Sequence, residues 1–268
     1  MNVPILLYHS ISKEVAPPFR RWAVQPERFS EQLNYLRTQS YTPLTVAQLT
    51  SALSQRTLPK RPVVITFDDG LADFYAEAFP LLEKHDFVAT LFLTTDYIGK
   101  TSRWLAEEGE GERPMLSWEQ IRELNHYGVE CGAHTRTHPQ LDTLSPAQAW
   151  GEIVGSKRAL EHNLGKPVVS FAYPHGYHSA VTKRLVKQAG FNTACAVKHA
   201  MSNQTDDPFA LARIIVAADT DLPTFRNLLG GRGLQPAPSG EKWQTKGWRY
   251  ARRLKKIRTD LQSQKEPA

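Results

Sequence analysis

Three things are scarce in this 268-residue chain. There are only two cysteines, Cys131 and Cys195, both in apolar strand-like surroundings and far apart in sequence, so two buried reduced thiols are expected rather than a disulfide. No uninterrupted apolar run approaches the ~20 residues that a membrane-spanning helix requires. The opening Asn2-Val3-Pro4-Ile5-Leu6-Leu7-Tyr8-His9 lacks a basic leader, and its apolar part is too short for a signal-peptide core. A cytoplasmic protein is the resulting expectation, provided no export signal precedes this numbering.

What is present suits a soluble α/β protein. Hydrophobic residues make up 41% of the chain, and its length fits one barrel of roughly 200–250 residues plus a tail. The division is expected at residues 1–235 and 236–268. The net charge of +6 and pI near 9.3 point to an anionic partner only where the charge is concentrated, and much of it lies near the C-terminus. There Trp243, Gly247, Tyr250, Leu254, Ile257 and Leu261 recur at steps of four and three, with lysines and arginines between them. A basic amphipathic helix of this kind can lie on an anionic membrane through 241–261, holding the protein peripherally on the inner membrane face. Docking on the barrel with one face in solvent is the other reading. Nucleic acid is not expected.

The stretch that organises the chain is Val63-Val64-Ile65-Thr66-Phe67-Asp68-Asp69-Gly70, a β-branched run that stops on two carboxylates and a glycine. Adjacent side chains of a strand face opposite ways, so neighbouring aspartates share one task only where the strand has ended and the chain turns, as Gly70 permits. One carboxylate can then bind a cation while the other moves a proton. A second cluster, His134-Thr135-Arg136-Thr137-His138, follows another strand-like run, Val129–Ala133. Two imidazoles and one aspartate make an N,N,O set with a coordination position left open for water or substrate, as a hydrolytic zinc site needs.

Elsewhere strand and helix alternate about seven times, which argues for parallel strands covered by helices. Phe29, Leu33 and Leu36 have helical spacing, and Ser117 with Gln120 and Ser145-Pro146 with Gln148 form capping boxes that start two helices. Residues 11–25 form a long loop suited to a substrate rim, where Trp22 stacks on a sugar or serves structure. The glutamate-rich run from Gly99 to Pro114 is expected to be a solvated loop. His85, His126, His162, His178 and His199 are expected to be solvated or capping residues.

Thr66-Phe67-Asp68-Asp69-Gly70 and His134-Thr135-Arg136-Thr137-His138, in this order and separation, resemble the first two motifs of the polysaccharide deacetylase family, the NodB-homology domain of carbohydrate esterase family 4. The resemblance runs from the first strand to roughly residue 230 and implies a distorted (β/α)7 barrel. Tyr8-His9-Ser10-Ile11 resembles the N-terminal Tyr-His motif of the poly-N-acetylglucosamine deacetylase branch, in which that histidine is the general acid. No Leu-x-His motif follows residue 200, which agrees with an acid supplied by His9.

Two departures stand out. Ala172-Tyr173-Pro174-His175-Gly176 is similar to the third motif, usually Arg-x-Pro-Tyr-Gly, with Ala172 in place of the arginine that orients the catalytic aspartate and His175 in place of the tyrosine. Arg213, heading the run Ile214-Ile215-Val216, is the candidate replacement, a plain packing or surface arginine the alternative. The fourth motif, Asp-x-x-Asp-Trp, is absent, and Asp219-Thr220-Asp221 matches it too poorly to carry a role.

The resemblance implies the following roles. Asp69, His134 and His138 hold a divalent ion, zinc first, with cobalt or nickel as substitutes. Asp68 is the base, the backbone N–H of His175 is the oxyanion donor, with Tyr173 and Pro174 in the same substrate-facing turn, and His9 protonates the departing amine. The implied reaction removes an N-acetyl group from a GlcNAc-type glycan or lipid-linked saccharide. An O-acetyl esterase or non-sugar amidase of the same fold, and a catalytically silent glycan-binding domain, are the rivals.

Overall fold

A computed structural model of the chain describes residues 2–234 and 247–253. Eight strands form one parallel sheet: β1 (Ile5–Tyr8), β2 (Thr42–Leu44), β3 (Pro62–Phe67), β4 (Thr90–Leu93), β5 (Glu130–Ala133), β6 (Ser170–Ala172), β7 (Thr193–Cys195) and β8 (Ile214–Ile215). Seven of them follow the path β7-β6-β5-β4-β3-β1-β8, and β2 pairs with the N-terminal half of β3. A parallel bridge between Cys195 and Leu211 joins the two ends of that path, so the sheet curls into the expected distorted (β/α)7 barrel. Helices α1 (Pro26–Thr38), α2 (Val46–Gln55), α3 (Phe79–Lys84), α4 (Trp118–His126), α5 (Pro146–Leu164), α6 (Ala180–Gln188) and α7 (Leu222–Leu229) pack around it. No helix among the described residues is long and apolar enough to cross a membrane.

The two-residue period of the strands divides each one between two cores. In β3, Val63, Ile65 and Phe67 lie under the helices, while Val64 belongs to the barrel interior. Thr66 and Asp68 continue the inward series, which is why Asp68 emerges inside the barrel mouth. By the same parity Ile5, Leu7 and His9 form the inward series of β1. In β5, Cys131 and Ala133 face the helices, whereas Gly132 and then His134 face in. Active sites of parallel barrels gather at the C-terminal ends of the strands, where the loops that follow the strands converge.

The predicted helix starts are present. Ser117 and Ser145 cap α4 and α5, each accepting from the backbone N–H three residues on while the glutamine reaches back. Both cysteines are free and buried. Strand ends moved inward: the run from Val88 is extended only over Thr90–Leu93, and Pro4 separates β1 from a short pairing of Asn2–Val3 with Ser202–Asn203.

The run from Gly99 to Pro114 is not a solvated loop. It forms a 3-10 helix, Arg103–Glu108, and buries Leu105 against Phe19, Leu71 and the following Met115. Arg113 holds it down, bonded to Asp73 at 3.0 Å and Glu110 at 2.9 Å, while the Ser102 hydroxyl donates to the Glu110 carbonyl at 2.6 Å. His85 also departs from expectation, being buried with neither ring nitrogen bonded among the described residues.

Gly132 shows how tightly the interior is filled. A Cβ there would lie 2.5 Å from a Phe92 ring carbon and 3.1 Å from the Ser170 carbonyl oxygen. Gly132→Ala is therefore expected to lower stability by about 1–3 kcal/mol in urea unfolding, as overpacked cores do. An unchanged midpoint would mean that Phe92 yields freely and that the interior is looser than these contacts imply.

Candidate active site

The mouth of the barrel holds a cavity of about 290 Å³ lined by His9, Trp22, Asp68, Asp69, His134 and His138, among others. Asp68 is 3% exposed and receives both guanidinium nitrogens of Arg213, at 2.6 and 2.7 Å. Arg213 is wholly buried and also donates to the Thr66 hydroxyl and the Ala196 carbonyl. Burial alone would raise the Asp68 carboxyl, but the Arg213 charge and hydrogen bonds outweigh it and hold the group below the usual carboxylate range. Arg213, the candidate for the missing motif arginine, thus makes a two-pronged contact with Asp68. Ala172, on the inward face of β6, is too small to compete for that space.

Asp69 has left the strand. Its φ is +77°, Gly70 follows at +88°, and the Asp69 carbonyl accepts from Thr94 N–H at 3.2 Å. A Cβ at Gly70 would stand 2.7 Å from Leu93 Cδ2, so this turn requires glycine twice over. Thr135, His138 and His175 also have positive φ, between +57° and +70°. Four non-glycine residues in the left-handed region at one cavity, each costing ~1–3 kcal/mol, indicate a backbone bent to place side chains.

The two histidines are held from behind. His134 Nδ1 lies 2.8 Å from the Ala172 carbonyl oxygen, to which it must donate, so its Nε2 lone pair faces the carboxylates: Asp69 Oδ1 at 3.7 Å and Asp68 Oδ2 at 3.8 Å. His138 Nε2 stands 3.3 Å from Asp69 Oδ1. Glu152 on α5 accepts from the N–H groups of Arg136 and Thr137 and from the Thr137 hydroxyl, at 2.8–2.9 Å. That carboxylate ties the loop between the histidines to the helix.

One ligand atom from each of Asp69, His134 and His138 falls within 4.8 Å of the others. The donor set fits a divalent transition ion. The Asp69 Oδ1 atom is buried with no hydrogen-bond partner among the described residues, and burial, with the Asp68 charge adding to it, pushes the Asp69 carboxyl up to about 8. A carboxylate so placed stays ionised near neutral pH when a cation binds it. Burial, then the neighbouring imidazoles, hold His138 well below its ordinary value, leaving it neutral as a ligand must be.

His9 reaches the cavity 4.8 Å from the Trp22 ring, centroid to centroid. Burial lowers its pKa to about 4, with the Asp68 charge opposing the shift. His175 is exposed at the rim, its ring 4.7 Å from that of His138. Tyr173 is not at the cavity: it obeys the strand alternation, points under the helices and donates to the Phe209 carbonyl at 3.0 Å. Pro174 is buried too, so the turn offers substrate its backbone rather than these two side chains. Sequence reasoning did not anticipate Glu108, Tyr177 and Phe19, which also line the cavity. Glu108 Oε2 is buried without a partner among the described residues, and nothing in its acidic run sets it apart from its neighbours.

A buried, ionised carboxylate beside an N,N,O donor set at the mouth of a parallel barrel is the arrangement that metal-assisted hydrolases use. The sequence profile of the polysaccharide deacetylase family matches residues 55–194, more than half the chain, and the chain belongs to that family. Its sequence is 24% identical over 223 residues to the poly-beta-1,6-N-acetyl-D-glucosamine N-deacetylase of Staphylococcus aureus, covering 80% of this chain and 73% of that protein. The Streptococcus pyogenes deacetylase PplD, solved in complex with acetate, superposes with a TM-score of 0.75 at 28% identity, over 88% of this chain and 99% of that one. IcaB from Ammonifex degensii gives 0.71 at 25% identity, over 85% and 97%. His9 and Arg213 lie outside the profile match, so their place in the site rests on the geometry.

The buried ion pair has a measurable weight. Removing one partner strands the other, so Arg213→Ala is expected to cost about 3–5 kcal/mol of unfolding free energy near pH 7. Arg213→Lys should cost less, keeping the charge but losing the two-pronged contact. Because the folded Asp68 pKa is depressed, the wild-type pair contributes fully above the unfolded carboxylate value and loses its contribution as pH falls below it. An Arg213→Ala protein as stable as wild type would contradict this reading of the pair.

Proposed function

We propose that the protein is a metal-dependent carbohydrate N-deacetylase that hydrolyses the acetamide of an N-acetylglucosamine-type glycan to acetate and a free amine. The observation that carries this is the joint placement of Asp68, held by Arg213, beside Asp69, His134 and His138 in one cavity that His9 also enters. Family membership supports the reaction class, and the S. aureus relative supports the sugar. Zinc is the proposed ion, from the N,N,O donor set.

A divalent cation held by Asp69, His134 and His138 supplies a Lewis acid for the acetyl carbonyl and lowers the pKa of water. Asp68 accepts the proton of the attacking water. Arg213 keeps it ionised and fixes its plane, while each oxygen retains a lone pair outside the guanidinium contact. The His175 N–H donates to the oxyanion as the carbonyl becomes tetrahedral. His9 then gives a proton to the departing nitrogen. Burial makes protonated His9 a strong acid, which a poor amine leaving group needs, and the Asp68 charge favours loading that proton.

A lipid-linked acceptor at the inner membrane face remains part of the proposal only through 241–261. Most of that segment, including Trp243, Leu254, Ile257 and Leu261, lies outside the described residues, and of residues 247–253 only Trp248 and Tyr250 present large exposed hydrophobic surface.

Two variants test the roles. Asp68→Asn is expected to lower kcat by roughly 10²–10⁴-fold, the usual weight of a general base, with metal content by atomic absorption unchanged. His9→Ala should fall in the same range. Near-normal acetate release from either variant would remove that residue from the mechanism.

A further inference from the structure

Beyond the catalytic cluster, charge converges most densely at Asp142, four residues after His138 in the 3-10 turn Leu141–Thr143 and only 1% exposed. Its partners come from the far end of the chain. Residues 247–253 form a helix, and Arg252 donates through both terminal nitrogens to the two Asp142 oxygens, each at 2.8 Å. Arg249 Nε adds a third bond to the carboxylate at 2.9 Å, and Arg253 Nε donates to the Asp142 carbonyl at 3.0 Å. Such bidentate, charge-assisted contacts are strong and directional. They outweigh burial and hold the Asp142 carboxyl below the usual range.

The same helix backs the wall of the cavity without lining it. The Arg252 guanidinium lies over the Tyr177 ring at 3.8 Å, and Arg249 donates to the His178 carbonyl at 3.1 Å. Tyr177 lines the cavity with its ring near-parallel to that of His175, the two centroids 6.0 Å apart. The helix therefore bridges two catalytic loops, the one that continues from His138 and the one that carries His175. Arg252 is 9% exposed and fixed by Asp142 on one side, so it offers Tyr177 a rigid backing.

We propose that the C-terminal helix is part of the sugar site, with Arg252, locked by Asp142, acting as a positioning residue that sets Tyr177 as the wall against which the substrate ring lies. This rests on the cavity binding a glycan. Aromatic faces bind sugars through their apolar C–H surface, and a stacked cation keeps the ring in one orientation before substrate arrives, reducing the ordering cost of binding. The effect belongs to substrate affinity, since neither Arg252 nor Tyr177 is among the residues that hold the metal or move protons.

The test uses the full-length protein and three variants, Asp142→Asn, Arg252→Ala and Arg252→Lys. It reads amide hydrogen exchange over 247–253 and 174–178, zinc stoichiometry, and kcat and KM for acetate release from N-acetylglucosamine oligomers. Asp142→Asn and Arg252→Ala are expected to speed exchange in both segments by about tenfold. They should raise KM about fivefold while kcat stays within about twofold and zinc stoichiometry is unchanged. Arg252→Lys keeps the charge but loses the flat stacking, so exchange over 247–253 should stay slow while KM still rises. It also keeps the test open if Asp142→Asn fails to fold. Unchanged exchange in Arg252→Ala, or faster exchange with unchanged KM, would overturn the proposal. Should the wild-type protein release no acetate, the N-deacetylase reading fails separately, and the same comparison made on oligomer Kd by calorimetry decides the positioning role.

Discussion

The site depends first on the ion pair between Asp68 and Arg213. Asp68 ends the inward series of β3, and an unpaired carboxylate at that depth would protonate and cease to be a base. Arg213 precedes β8, which lies on the far side of β1 from β3, so the pair spans the strand that delivers His9. One contact thereby joins Asp68 to the closing strand of the barrel and brackets His9 between them. A motif arginine would come from β6; here Ala172 vacates that volume and its carbonyl orients His134 instead.

Around the pair, local backbone cost is exchanged for placement. Asp69, Thr135, His138 and His175 occupy left-handed conformations, and the first three are tied to neighbouring chain by hydrogen bonds. Thr94 bonds the Asp69 carbonyl, the Thr135 hydroxyl accepts from His138 N–H, and Glu152 clamps the residues between the histidines. The curled sheet supplies the rigid frame, and the loops at its C-terminal rim carry the strain. The helix at 247–253 is tied to Asp142 and touches that rim through Tyr177.

Most of the barrel and the centre of the site were legible because they rest on local chemistry. Capping boxes, two-residue alternation and the stop at Asp68-Asp69-Gly70 are written in consecutive residues. Arg213 was legible only as a vacancy to be filled: the absent motif arginine required a cation, and this one headed a strand. Tyr173 was misplaced because its motif suggested the cavity, while strand parity sends it under the helices. The 99–114 run departs from its expectation because its glutamates mask the buried Leu105 and the long-range pairing of Arg113 with Asp73. Arg252 with Asp142, 110 residues apart, leaves no trace in a single sequence, since only folding brings the two together.

The central claim is that Asp69, His134 and His138 hold the cation that makes this cavity hydrolytic. The most direct measurement is acetate release from β-1,6-linked N-acetylglucosamine oligomers by metal-stripped protein titrated with zinc. Activity absent without metal and restored to a plateau at one zinc per chain is the predicted result. Full activity in the stripped protein, or a zinc-saturated protein that releases no acetate from any acetylated sugar, would contradict it.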